Sequence, residues 1–75
     1  MNISVFTEIV LKIAHYSELI ENMQISHDDF VEYQKLETRI INARETRHIT
    51  HAQYKPLIHI YYLLLTDFRN ALKYI

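Results

Sequence analysis

Residues 25–30 read ISHDDF, and 24 positions later residues 49–54 read ITHAQY. Both segments have the form of a helix start, because a Ser or Thr in the second position can accept from backbone N–H groups that lack partners in a first helical turn. Three positions further on, Asp29 and Gln53 can reach back to the capping residue and complete a capping box. The two segments therefore predict where two of the helices begin.

Apolar residues recur every three or four positions around these starts, which is the period of helices packed in a bundle. The pattern predicts helices over residues 4–23, 27–46 and 51–74. The connections are short, so consecutive helices are expected to run antiparallel. Pro56 removes one backbone hydrogen bond from the third helix. We expect a bend or a break there, which leaves a short fourth segment as an alternative description.

The composition excludes several other folds and site types. The chain has 75 residues, no cysteine, no glycine and one proline, which excludes disulfides and thiolate metal sites and disfavours hairpin turns and glycine-rich phosphate loops. Its length suits one domain, spanning residues 1–75. The prediction is an all-α protein, an antiparallel three-helix bundle whose third helix is long and apolar.

Charge is distributed unevenly although the total is only −1. Residues 1–37 carry seven acidic and two basic side chains, whereas residues 38–75 carry six basic and two acidic ones. The balances of −5 and +4 are compatible with halves that face each other, within one chain or across a dimer. Solvated surface charge is an equally simple explanation.

The third helix contains the segment LIHIYYLLL, residues 57–65, with His59 as its one polar side chain. A surface helix normally has a polar face, so this segment predicts more apolar surface than two neighbouring helices can cover. We expect contact with another protein, most simply a second copy in a homodimer. The predicted interface consists of Ile58, Tyr61, Tyr62, Leu65 and Leu72. The alternative is a helix whose apolar groups are covered within the chain.

No enzyme is predicted, because no nucleophile stands in a recognisable sequence frame and no glycine loop is present. No catalytic residue, cofactor or metal site is expected. Function is instead expected to be stoichiometric, in a small adaptor, inhibitor or regulator that binds another protein. This expectation follows from the small size and from the apolar third helix.

A basic segment over residues 39–55 supports an alternative in which the protein is a nucleic-acid-associated regulator. Its cations are candidates for phosphate contacts; they are Arg39, Arg44, Arg47 and Lys55. Arg44 and His51 have six residues between them, and this pair is similar to the Arg–His motif of some small helical RNases. That similarity covers only these two residues, and it implies a small helical RNase as a further alternative.

The first residues lack the basic leader and small-residue cleavage site of a signal peptide. The apolar run at 57–65 is about half the roughly 20 residues that a membrane-spanning helix needs. The sequence therefore predicts a cytoplasmic protein with no membrane segment.

Overall fold

A computed structural model describes residues 3–74, and within that range the chain forms three helices and no strand. The helices are α1 (Val5–Glu21), α2 (His27–Glu45) and α3 (His51–Leu72). They pack around one shared core, which confirms the prediction of an all-helical, three-helix protein. The starts of α2 and α3 match the prediction, and all three helices end one or two residues earlier than predicted.

Both predicted capping boxes are formed. At the start of α2 the Asp29 N–H donates to Ser26 Oγ at 3.2 Å, and the Ser26 N–H donates to Asp29 Oδ2 at 2.9 Å. At the start of α3 the Gln53 N–H donates to Thr50 Oγ1 at 3.1 Å, and the Thr50 N–H donates to Gln53 Oε1 at 3.0 Å. Because each box satisfies two otherwise unpartnered N–H groups, local sequence is sufficient to set both helix starts.

The ends of α1 and α2 share a turn that the sequence does not announce. Met23 and Arg47 follow the two C-caps with φ of 54° and 62°. After α1, the Met23 N–H donates to the Ile20 carbonyl at 3.1 Å and the Gln24 N–H donates to the Leu19 carbonyl at 2.9 Å. Equivalent bonds form around Arg47. This is the Schellman arrangement, in which glycine normally occupies the left-handed position.

The centre of the core is aromatic. Tyr33 stacks on Tyr61 and on Phe68, with ring centroids 4.8 and 5.4 Å apart. Phe30 and Tyr16 pack on Phe68 from two sides, at 5.3 and 6.1 Å. Aliphatic side chains surround these rings; the buried ones are Ile9, Ile13, Ile25, Leu36, Ile40, Ala43, Ile49 and Leu57. Both Ile25 and Ile49, which precede the capping residues, are thereby part of the core.

The contacts show how the helices are oriented. Glu8, near the start of α1, accepts from Arg39 in the second half of α2. Phe30, near the start of α2, packs on Phe68 near the end of α3. Each helix therefore runs antiparallel to the next one, as predicted, and α1 and α3 run in the same direction.

Helix α3 continues through Pro56, so the expected break and the fourth segment are wrong. Pro56 is the sixth residue of α3 and is exposed, and a proline there removes only the bond to the Ala52 carbonyl. The capping box holds the turn before it, and the buried Leu57 and Tyr61 hold the turn after it. Packing on both sides thus keeps the helix continuous.

Candidate contact surface

The five residues predicted to form an interface do not form one exposed surface. Three of them, Ile58, Leu65 and Leu72, are half-buried and pack against the core of the same chain. Tyr61 is buried and Tyr62 is exposed. Most of this predicted stripe is therefore shielded within the bundle, by α2 and by the core.

Tyr61 belongs to the internal core, and its predicted role as a partner anchor does not fit its exposed fraction of 1%. Its ring stacks on Tyr33, and its carbonyl accepts from the Tyr33 hydroxyl at 2.7 Å. Burial, assisted by the negative charge of Glu37, raises the pKa of the Tyr61 hydroxyl to about 12. Burial also raises the pKa of Tyr33. Both phenols are consequently neutral hydrogen-bond donors at physiological pH.

Tyr62 is exposed but is tied to α2. Its hydroxyl donates to the Glu37 carboxylate, and this hydrogen bond is the main reason why the pKa of Tyr62 is raised. Since Glu37 lies on α2, Tyr62 marks the flank of α3 that faces α2. The other exposed apolar residues of α3 lie elsewhere on the helix.

Two exposed apolar side chains, one on α1 and one on α3, lie on the flank that these two helices share. In α1, Val10 is two residues after Glu8, which contacts α2, and at 100° per residue it lies about 160° around the helix from that contact. In α3, Ile60 is two residues before Tyr62, which contacts α2, and it likewise lies about 160° around the helix from that contact. Both therefore lie on the flank away from α2. With Leu63, which lies three residues after Ile60 and about 60° from it around α3, they form what we call the α1/α3 face: Val10, Ile60 and Leu63.

These residues also lie at similar heights along the bundle. Tyr16 contacts Phe68, and Val10 lies six residues before Tyr16, a rise of about 9 Å. Ile60 and Leu63 lie eight and five residues before Phe68, which corresponds to rises of about 12 and 8 Å. Because α1 and α3 run in the same direction, Val10, Ile60 and Leu63 lie within about one helical turn of the same height.

The outer surface of α2 provides the contrast. Every residue of α2 is described, and Val31 is its single large apolar side chain that is mostly exposed. Around it the exposed positions are polar or charged, and Lys35 pairs with Glu32 at 3.0 Å. An isolated exposed valine is ordinary for a protein surface. The α1/α3 face is different because three exposed apolar side chains lie on it.

The four cations of the basic segment do not lie on one surface. Arg39 donates to Glu8 of α1 at 3.1 Å, whereas the Arg44 guanidinium lies over the Tyr54 ring of α3, 4.2 Å from its centroid. These two residues therefore face opposite neighbours of α2. Arg47 and Lys55 are exposed near the connection between α2 and α3.

Arg44 and His51, the pair similar to an RNase motif, do lie near each other. Both contact Tyr54, since the His51 ring is 6.3 Å from the Tyr54 ring and nearly parallel to it. A cation stacked on an aromatic face is a common structural pairing. The arrangement is therefore explained by packing at the junction of α2 and α3.

Two further findings concern residues 3–74. No group of three or more His, Asp or Glu side chains there is arranged to hold a metal ion. None of the three helices contains a stretch that is both long and apolar enough to cross a membrane.

Comparison of the chain with protein-family models, curated proteins and solved structures gives no match.

Proposed function

We propose that the protein is a small non-enzymatic binding module, an adaptor, inhibitor or regulator that acts by stoichiometric protein–protein contact. Its contact surface is the α1/α3 face, and the protein self-associates through that face. The observation that supports this proposal is that Val10, Ile60 and Leu63 are exposed apolar side chains at similar heights on the flank of α1 and α3 away from α2.

Burial of apolar area is the main driving force for protein association, so a grouped apolar surface is favoured as an interface over isolated residues. Leu63 is 57% exposed and Ile60 is 48% exposed, so each retains much of its surface for a partner. The sequence-based prediction assigned the contact to the stripe with Ile58 and Leu65. We now assign it to the opposite flank of α3. The excess of apolar surface on α3 nevertheless remains the basis of the proposal.

A second copy is the simplest partner for this face. The most common closed assembly of identical chains is a two-fold dimer, in which the same surface of each chain contacts its copy. The α1/α3 face suits that arrangement because its apolar side chains come from two helices that run side by side. Two such faces would pack as a second helical layer, with apolar residues of each covering those of the other.

The proposal predicts that Leu63→Glu converts a dimer into a monomer. A carboxylate buried in an apolar interface has no partner there, and we expect the dimer Kd to rise at least about a hundredfold. Sedimentation equilibrium over a range of concentrations measures the change, and far-UV circular dichroism checks that the helices persist.

Val31→Glu is the matched control. Val31 is 53% exposed, a fraction similar to that of Leu63, but it lies on α2. It should leave the dimer intact. A wild-type protein that stays monomeric at every concentration would contradict self-association. Equal dissociation caused by both variants would contradict the choice of face.

The nucleic-acid alternatives receive less support. A phosphate-binding surface needs several cations directed at one backbone, yet Arg39 lies on the side of α2 that faces α1 and Arg44 covers Tyr54 on the side that faces α3. The four cations of the basic segment therefore do not face one nucleic-acid backbone. The contact proposal uses a surface that none of these cations occupies.

A further inference from the structure

A groove of about 410 Å3 lies between α1 and α2, on the flank of α1 opposite to Val10. Its floor is Leu36, which is buried, and the half-buried ring of Tyr16. Its rim consists of polar side chains from both helices; these are Lys12 and His15 from α1, with Glu32, Lys35 and Arg39 from α2. The volume lies in the range of small-molecule sites. The groove is separate from the α1/α3 face, so its role is independent of the proposed function.

Cationic side chains from both helices line this groove. Lys12 and Arg39 share one carboxylate, that of Glu8, with N–O distances of 3.7 and 3.1 Å. Lys35 pairs with Glu32 at 3.0 Å. Three positive charges thus lie at the groove; the carboxylates of Glu8 and Glu32 pair with them, and that of Asp29 acts on Tyr16.

The cations retain donors for a ligand. An ammonium group has three N–H donors and a guanidinium has five, so these ion pairs leave most donors unused. The side chains of Lys12 and Lys35 are 54% and 68% exposed, and ion pairs at such positions hold their partners only weakly. An incoming oxyanion can therefore bind the free donors without displacing the carboxylates.

The floor of the groove adds a rigid apolar surface. Tyr16 packs edge-on against Tyr33 at 5.3 Å and against His15 at 5.6 Å, so its ring is held in place. Burial, with smaller effects from Asp29 and Glu32, raises the pKa of the Tyr16 hydroxyl. The hydroxyl therefore remains protonated and can donate to an anion at neutral pH.

From this arrangement we infer that the groove binds a small phosphate ester with an apolar, ring-shaped body. The phosphate lies among Lys12, Lys35 and Arg39, and the body lies against Tyr16 and Leu36. A phosphate is favoured over a carboxylate because its three terminal oxygens can accept from cations on both helices at once. The apolar floor distinguishes an ester from the free inorganic ion.

Phenyl phosphate is a suitable probe, with inorganic phosphate and phenol as its two halves. Titration into the 15N-labelled protein should give saturable amide shifts at His15, Tyr16 and Leu36. Inorganic phosphate should bind at least about fivefold more weakly, and phenol should cause no saturable shift. Equal affinity for inorganic phosphate would overturn the role of the floor, and absence of saturable shifts with phenyl phosphate would overturn the site.

Two lysine variants test the contribution of the rim. Lys12→Gln and Lys35→Gln should each raise the Kd for phenyl phosphate about fivefold, which corresponds to a loss of about 1 kcal/mol in binding free energy. Lys55→Gln is the matched control, because it removes the same charge from an exposed position on α3 outside the groove. A similar loss of affinity in all three variants would mean nonspecific attraction, and it would contradict the site.

Discussion

The two contacts made by α2 differ in kind. Against α3, α2 packs the rings of Tyr33 and Phe30 onto Tyr61 and Phe68, and a buried hydroxyl bonds to a backbone carbonyl. Against the outer part of α1, it extends charged side chains across an open groove. The same helix thus has a tightly packed side and a loosely packed one.

Side-chain shape explains this difference. Aromatic rings are large and flat, so they fill the space between two helices and remove much apolar area from water. Long charged side chains keep their ends in water and pack only along their stems, so they leave space between helices. Stability is therefore expected to be concentrated in the pair α2 and α3, and the groove beside α1 is available for a ligand.

The largest test of this comparison is Phe68→Ala. Phe68 is fully buried and contacts rings from both other helices, so its loss should lower the free energy of unfolding by about 3–5 kcal/mol. A chain of this length is expected to have roughly 4–11 kcal/mol in total. Urea denaturation followed by circular dichroism measures the loss.

Leu36→Ala is the matched variant on the groove side of α2. Leu36 is buried but lines the groove, where water can enter the space left by the truncated side chain, and we expect a loss of about 2–3 kcal/mol. A loss at Leu36 as large as that at Phe68 would contradict the unequal division of stability between the two sides.

A smaller effect is expected at alkaline pH from the aromatic side. The pKa of Tyr61 is raised from 10 to about 12, so above pH 10 the unfolded chain releases its proton more readily than the folded one does. The free energy of unfolding should therefore decrease as the pH rises from 10 towards 12. Below pH 10 this contribution is fully present and constant.

Tyr61→Phe should make this alkaline decrease shallower in thermal melts recorded between pH 9 and pH 12. It should change stability little at pH 7, because the Tyr61 hydroxyl makes only a long bond of 3.4 Å to the Gln34 carbonyl. Tyr74→Phe serves as the control, since Tyr74 is 83% exposed, and it should leave the curve unchanged. Identical curves for Tyr61→Phe and the wild type would exclude Tyr61 as the cause.

The smallest expected effect is on the groove side. Arg39→Gln removes the ion pair with Glu8, whose side chains are 44% and 39% exposed, and should lower the free energy of unfolding by at most about 1 kcal/mol. Added salt should reduce the difference from the wild type further. A loss of several kcal/mol at high salt would show that this contact carries more of the stability than the comparison allows.

The starts of the helices were more predictable than their ends. The starts at residues 27 and 51 follow from capping residues that act on their own first turn, so a few side chains determine them. The ends of α1 and α2 depend on a left-handed backbone conformation at Met23 and Arg47, which glycine would normally signal. With no glycine in the chain, the turns were not recognisable, although the structure forms the same turn twice.

The contact surface was predictable only in part. Periodicity predicted that α3 carries apolar residues beyond those of its core stripe, and in the structure Ile60, Tyr62 and Leu63 are exposed. It could not show which flank of α3 faces α2, because that depends on how three helices rotate against one another. The stripe with Ile58 and Leu65 was therefore assigned to a partner although it packs internally.

Pro56 has one further consequence, for how α3 opens. A proline has no N–H, so the first turn of α3 is joined to the rest of the helix by one hydrogen bond fewer than any other turn within it. The capping box holds the residues of that first turn together. The turn can therefore fray as a unit while the rest of α3 remains folded. Amide protons of residues 54 and 55 should accordingly exchange with solvent faster than those of residues 61–68, through local opening.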